Sequence, residues 1–172
     1  NSLSNIDINS SGGSSGNVYG LRISNSFNGT FTSLVVNTYA SDADGIVFDG
    51  TSEGNVILDT NISTLLAQGV ILINRNNTLS KVRVTAWGTS EGISLSGNHT
   101  LNVLTVNTNI SEGIIFTGAS FSIVFNSSIN SSFNNDTFFA SSSSGTVNFT
   151  NVTLANNRVA FIGTSTARLN TH

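Results

Sequence analysis

The chain has 172 residues, of which 6 are basic and 9 acidic, giving a formal net charge of −3, and it contains no Pro, Met or Cys. So few cations exclude a nucleic-acid footprint and an anionic membrane surface as partners; the missing Cys excludes disulfides and thiolate metal sites. Asn, Ser and Thr number 25, 28 and 20, a low-complexity composition through which a periodic apolar pattern nevertheless runs.

The first predicted element is Leu3-Ser4-Asn5-Ile6-Asp7-Ile8-Asn9-Ser10, an apolar-x-x-apolar-x-apolar run. Its last two apolar positions alternate as on one face of a strand, and the first, three positions earlier, predicts a bend or a short separate strand. Gly12-Gly13-Ser14-Ser15-Gly16 reads as a flexible loop, without the Lys and helix of a phosphate cradle. Gly20-Leu21-Arg22-Ile23-Ser24 then opens a second kind of strand, a glycine followed by alternating apolar residues. The two kinds take turns along the chain: Phe31–Thr38, Gly45–Gly50, Val56–Thr60, Gly69–Asn74, Leu79–Ala86, Gly92–Gly97, Leu101–Thr108, Gly113–Gly118, Ile123–Ser127, Asp136–Ala140, Phe149–Leu154 and Arg158–Gly163. The copies of this glycine-led kind, of which the last two are degenerate and open on Asp136 and Arg158 instead, start 25, 24, 23, 21, 23 and 22 residues apart. A period in this range marks a solenoid in which each repeat buries its apolar face only against its neighbours.

Two strong faces and one weak face per repeat predict an all-β, right-handed parallel β-helix of about seven coils of about 23 residues, one domain spanning residues 1–172. Ile46, Phe48, Val70, Leu72, Ile93, Leu95, Ile114 and Phe116 share one phase and are expected to point inward. Asn9, Asn37, Asp59, Thr85, Asn107, Asn126 and Ala155 follow the second kind of strand and are the expected corner ladder, since stacked Asn amides both donate and accept.

Eleven Asn-x-Ser/Thr sequons occur. Asn28, Asn61, Asn76, Asn98 and Asn109 fall in turns or between strands and are the expected sites of covalent glycans. The search for chemistry yields little. Asp42-Ala43-Asp44-Gly45 has part of a calcium-loop pattern and reads as a polar turn. Glu91 and Glu112 precede equivalent glycines and are expected to stack without forming a catalytic pair. His99, in a turn and inside the Asn98 sequon, and the last residue, His172, are two unconnected His and make neither a zinc site nor a triad. Trp87, Tyr19 and Tyr39 sit between repeats, as corner covers or sugar platforms. No enzyme activity, cofactor or metal is expected.

The alternation of the two motifs from Leu3 to Gly163 resembles the parallel β-helix repeat family, including NosD-like and other surface-protein repeats. That resemblance implies the fold; the family spans lyases, hydrolases, adhesins, viral spikes and surface-layer components, and no catalytic signature of these is present to carry over. With no Met, the sequence is expected to be a processed or partial chain, and no apolar run approaches membrane-spanning length. The amino end begins directly as a strand, and Ile6, Ile8, Phe161 and Leu169 are the residues expected to join copies end to end. The expected function is an extracellular, N-glycosylated, self-assembling subunit of a cell-surface filament or sheath. The alternatives are an adhesin or viral fibre segment binding surface glycans, which an exposed row of aromatics would favour, and a carbohydrate-active enzyme, which converging acids would favour.

Overall fold

The computed structural model describes residues 1–11, 18–132, 137–139, 144–156, 158–161 and 168–171, with the backbone alone at 119, 120, 137–139, 144, 160, 161 and 168–171. Among the described residues there is no helix, and every strand pairing is parallel. The chain winds as a parallel β-solenoid of about six turns of about 24 residues. Seven strands of the second kind, five of them led by glycine, bound six complete turns, which reconciles this with the seven coils expected from the motif.

A seven-stranded sheet collects these strands, Val18–Ser24, Ala43–Asp49, Val70–Leu72, Ile93–Leu95, Ile114–Phe116, Thr137–Phe139 and Val159–Phe161. Leu21, Ile46, Val70, Ile93, Ile114, Thr137 and Val159 stand in one register, and the steps between them equal the spacings between the motifs. An eleven-stranded sheet collects the rest and is folded lengthwise into two arms. The first arm carries Leu3, Phe31, Ile57, Leu79, Leu101, Val124 and Phe149 in register. The second carries Ile8, Val36, Ile62, Val84, Val106, Ile129 and Leu154.

The crease between the arms has a local cause. The third residue of each apolar-x-x-apolar-x-apolar run adopts positive φ: Asn5, Ser33, Asp59, Lys81, Val103, Asn126 and Asn151, at 49° to 56°. One left-handed residue per coil turns the strand, so three apolar positions reach the interior from two faces. The bend expected after the first apolar residue is therefore this corner.

The core lies between the three faces. Ile46, Phe48, Val70, Leu72, Ile93, Leu95, Ile114 and Phe116 are all buried, as the motif phase requires, and meet Leu34, Val36, Ile57, Leu79, Val84, Leu101 and Val106 from the arms. Phe31 and Phe48 pack edge to face across the interior, with ring centroids 5.9 Å apart. The glycine that opens each sheet strand is set by crowding. A Cβ on Gly69 would collide with Val84 Cγ1 and with the Gly92 carbonyl oxygen one coil on, and Gly45 and Gly92 meet the same obstacle. The Gly12–Gly16 run, Asn135, Asp136 and His172 lie outside the described residues.

Candidate functional site

Polar chemistry gathers at the three corners of the coil. At the corner between the seven-stranded sheet and the first arm, Gly29, Asn55, Asn77, His99 and Ser122 occupy one column. Asn55, Asn77, His99 and Ser122 are buried. Asn55 Oδ1 accepts from the Gly29 N–H at 2.8 Å, Asn77 Oδ1 from the Asn55 N–H at 3.0 Å, and Ser122 Oγ from the His99 N–H at 3.1 Å. Asn55, Asn77 and Ser122 thus each offer a side-chain oxygen to the backbone of the coil before.

This buried ladder is separate from the corner ladder expected from the sequence. Of that one, Asn9, Asn37, Thr85 and Asn107 do share a column, on the outer side of the second arm, where Asn37 Nδ2 donates to Asn9 Oδ1 at 3.0 Å. Asp59 and Asn126 belong to the crease between the arms. The inward column lies two residues before the first apolar position of each run, hence on the same strand face; that parity was the available signal. His99, read from sequence as a turn residue, is a buried member of this ladder. Its Nε2 lies 3.2 Å from the Ser96 carbonyl oxygen, and Nδ1 is buried without a hydrogen-bond partner. Burial pushes its pKa down to about 4, against the carbonyls of Ser96 and Asn77, which favour the charged form.

Outside the same corner a groove of about 590 Å³ is lined by Glu53, Ile73, Asn74, Arg75, Ser96, Gly97, Asn98 and Phe121. Three of the expected glycan sites share this corner. Asn28, Gly54, Asn76 and Asn98 form one column; Asn28 and Asn76 are exposed, whereas Asn98 is half-buried and its Oδ1 accepts from the Phe121 N–H at 3.0 Å. Asn61 is exposed on the second arm, and Asn109 is exposed at its far end.

Among the described residues the acids do not converge into one cluster. Asp49 takes Arg22 Nε at 2.7 Å, which holds its carboxyl below the usual range; Asp59 lies 3.7 Å from Lys81 at the crease. Asp44 accepts from the Gln68 N–H at 3.1 Å, and burial pushes its pKa up. Asp44, Gln68, Glu91 and Glu112 follow one another in a column, with Gln68 Nε2 donating to Glu91 Oε2 at 2.6 Å. Glu91 and Glu112 do stack as expected, side by side on one face. Among the described residues, no group of three or more His, Asp or Glu is placed to hold a metal ion, and no helix is long and apolar enough to cross a membrane.

At the corner between the second arm and the seven-stranded sheet, Tyr39, Leu65 and Trp87 stand in successive coils at 55%, 43% and 57% exposure. Their N–H groups donate to Ser10, Thr38 and Thr64, which continues the register one residue past the strands. Leu65 carried no functional signal in the sequence. At the amino-terminal end, Ile6 is exposed and Leu3 and Ile8 are half-buried against the core. Phe161 and Leu169 lie in the last strands of the two sheets, Val159–Phe161 and Arg168–Thr171, and their side chains are outside the described part. No protein-family model, curated protein or solved structure matches the chain.

Proposed function

We propose that this chain is an extracellular structural subunit, without catalytic role, whose coils stack on those of neighbouring copies to build a surface filament or sheath. The observation that carries the reading is the unbroken parallel stacking of both sheets, which a further coil can extend without a change of register. Ser2–Ser4 pairs on one side with Thr30–Thr32, and Asp7–Ser10 pairs on one side with Val35–Thr38; among the described residues no strand covers their other side. An open parallel edge with apolar residues beneath it is a template for a further strand. Neither strand holds Pro or Lys, and their one charged side chain is Asp7.

The carboxyl-terminal strands, which include Phe161 and Leu169, would supply the complementary edge. Such a head-to-tail contact does not close on itself and propagates. A surface dominated by Asn, Ser and Thr with sequons at Asn28, Asn61, Asn76 and Asn109 fits a glycan-bearing protein outside cells. Kinship with NosD-like surface repeats belongs to the same proposal and rests on the alternation of the two motifs. Sedimentation velocity over a range of concentrations, with negative-stain imaging of the native material, tests it. Rods one chain wide that lengthen with concentration are expected; a monomer at the highest concentration would overturn it.

A further inference from the structure

We propose that the corner carrying Tyr39, Leu65 and Trp87 is a binding strip for a linear, neutral oligosaccharide lying along the solenoid axis. The strip is independent of end-to-end assembly. It consists of two parallel columns. One is apolar and exposed: Tyr39, Leu65 and Trp87. The other lies two residues earlier in each coil and faces outward: Asn37, Ser63 and Thr85, continued by Asn107. Between them, beside Trp87, a cleft of about 110 Å³ opens among Thr85, Asn107, Asn109 and Asn130.

A pyranose ring presents the same two chemistries, a C–H face and a rim of hydroxyls. The face suits an indole, a phenol ring or a leucine side chain. The rim suits amides and hydroxyls, which both donate and accept. Coils repeat at about 4.8 Å, so Tyr39 and Trp87, two coils apart, are separated by roughly 10 Å along the axis. One sugar ring cannot cover both; a chain of rings can.

The charge pattern selects against an acidic glycan. Neither column carries a charge. Arg83 lies beyond the polar column, and Asp44, Glu91 and Glu112 lie past the corner on the sheet side.

The strip is also held in place before any ligand arrives. Thr38 Oγ1 donates to the Ala43 carbonyl at 2.6 Å and Thr64 Oγ1 to the Ala67 carbonyl at 2.7 Å, pinning the turns that bear Tyr39 and Leu65. The Trp87 turn is seated on the one before it. Gly88 packs so closely on Leu66 that a Cβ would lie 2.5 Å from Leu66 Cα, and Ser90 Oγ donates to the Leu66 carbonyl at 3.0 Å. Ligand binding then needs little ordering of the protein.

Trp87 is the single Trp of the chain, so its emission reports this strip alone. The full chain, produced in a host that attaches no N-glycans so that Asn109 stays intact and bare, is titrated with neutral linear hexasaccharides of β-linked glucose, xylose or N-acetylglucosamine. At least one should give a saturable blue shift, and the parent monosaccharide should bind about tenfold more weakly or worse. Tyr39→Ala, a change in another coil at an exposed site, should weaken the hexasaccharide by about tenfold while leaving the melting temperature unchanged. Calorimetry with Trp87→Ala should show the same loss. The proposal is overturned if none of the three sugars shifts the emission, or if Tyr39→Ala leaves affinity unchanged. It is equally overturned if the emission shifts with protein concentration alone, which would mean a second copy covers the strip.

Discussion

Asn77 Oδ1 accepts two hydrogen bonds from Asn55, one from the backbone N–H at 3.0 Å and one from the side-chain amide at 3.1 Å. The pattern stops at the next step, because His99 stands where a further Asn would offer its oxygen to the coil of Asn77. His99 brings a titration with it. Its pKa in the fold is about 4, below the unfolded value of 6.5, so between those pH values the unfolded chain binds more protons. Stability is therefore present above pH 6.5 and falls as the pH drops towards 4, by about 3 kcal/mol at the limit. Asp44 acts in the opposite sense, since its raised pKa favours the fold as it protonates. Comparing denaturant midpoints of wild type and His99→Asn at pH 7 and pH 4 isolates the histidine. The variant should lose most of the His99 contribution to the acid sensitivity and be at least as stable at pH 7; equal acid sensitivity in both proteins would refute the assignment.

Val103 is the one β-branched residue among the left-handed corner positions, at φ 53°, between Lys81 and Asn126 of the neighbouring coils. A left-handed backbone costs an L-residue about 1–2 kcal/mol, and Asn much less. An Asn here would also extend the side-chain contact by which Asn151 Nδ2 donates to Asn126 Oδ1 at 2.9 Å. Val103→Asn should raise stability by about 1 kcal/mol, or the melting temperature by about 3 °C. Val103 is exposed, so no core contact offsets the gain, and a drop in melting temperature would show that the corner stores no strain.

Much of the architecture was legible in the sequence because it depends on a repeated residue type. The glycine-led strands stack at the steps their spacing predicts, since Gly20, Gly45, Gly69 and Gly92 each answer the same crowding. The residues of the left-handed crease and of the buried ladder were not singled out, because their columns change identity from coil to coil. Asn5, Ser33, Asp59, Lys81 and Val103 share a backbone conformation and little chemistry. Gly29, Asn55, Asn77, His99 and Ser122 share a place in the interior through three different side chains or none. The exposed row was half visible: Tyr39 and Trp87 stood out as aromatics between repeats, but that they flank Leu65 in one column follows only from the pairing register.

Gly69→Ala should cost about 3 kcal/mol or more, because the added methyl meets Val84 and the Gly92 carbonyl inside a packed corner and neither can move alone. Gly118→Ala is the matched control: its methyl meets chiefly the Ser96 hydroxyl, at 2.7 Å, the movable end of a side chain. That change should cost less than about 1 kcal/mol. Similar urea midpoints for the two variants would mean that the glycine column is not required by packing.

Glycan occupancy should differ along the corner column. Asn76 and Asn98 are one coil apart, about 4.8 Å, too near for two bulky glycans to leave side by side. Asn98 is the half-buried member and is held by the Phe121 N–H. In native material, Asn28, Asn61, Asn76 and Asn109 should be occupied and Asn98 bare, and Asn76→Gln should raise occupancy at Asn98 only slightly. Glycopeptide mass spectrometry decides the matter. Full occupancy of Asn76 and Asn98 on the same molecules contradicts the steric argument, and an unmodified mass of 18.0 kDa removes glycosylation altogether.

Ile6 is the residue through which end-to-end stacking is most directly tested. Its carbonyl oxygen accepts from the Val35 N–H at 2.9 Å, which ties the first coil to the second, and its side chain is 37% exposed. Ile6→Pro leaves that carbonyl in place but removes an N–H from the terminal coil and fixes its φ, damaging the edge that an incoming copy would extend. The core residues from Leu34 onward are untouched, so the middle coils should keep their β-sheet circular dichroism and a cooperative melt. Ile6→Asp, which adds a charge without altering the backbone, provides a second route to the same edge. Both variants should sediment as shorter polymers or monomers at concentrations where wild type forms rods. Rods of unchanged length from both would place the contact elsewhere on the molecule and leave the amino-terminal edge without an assembly role.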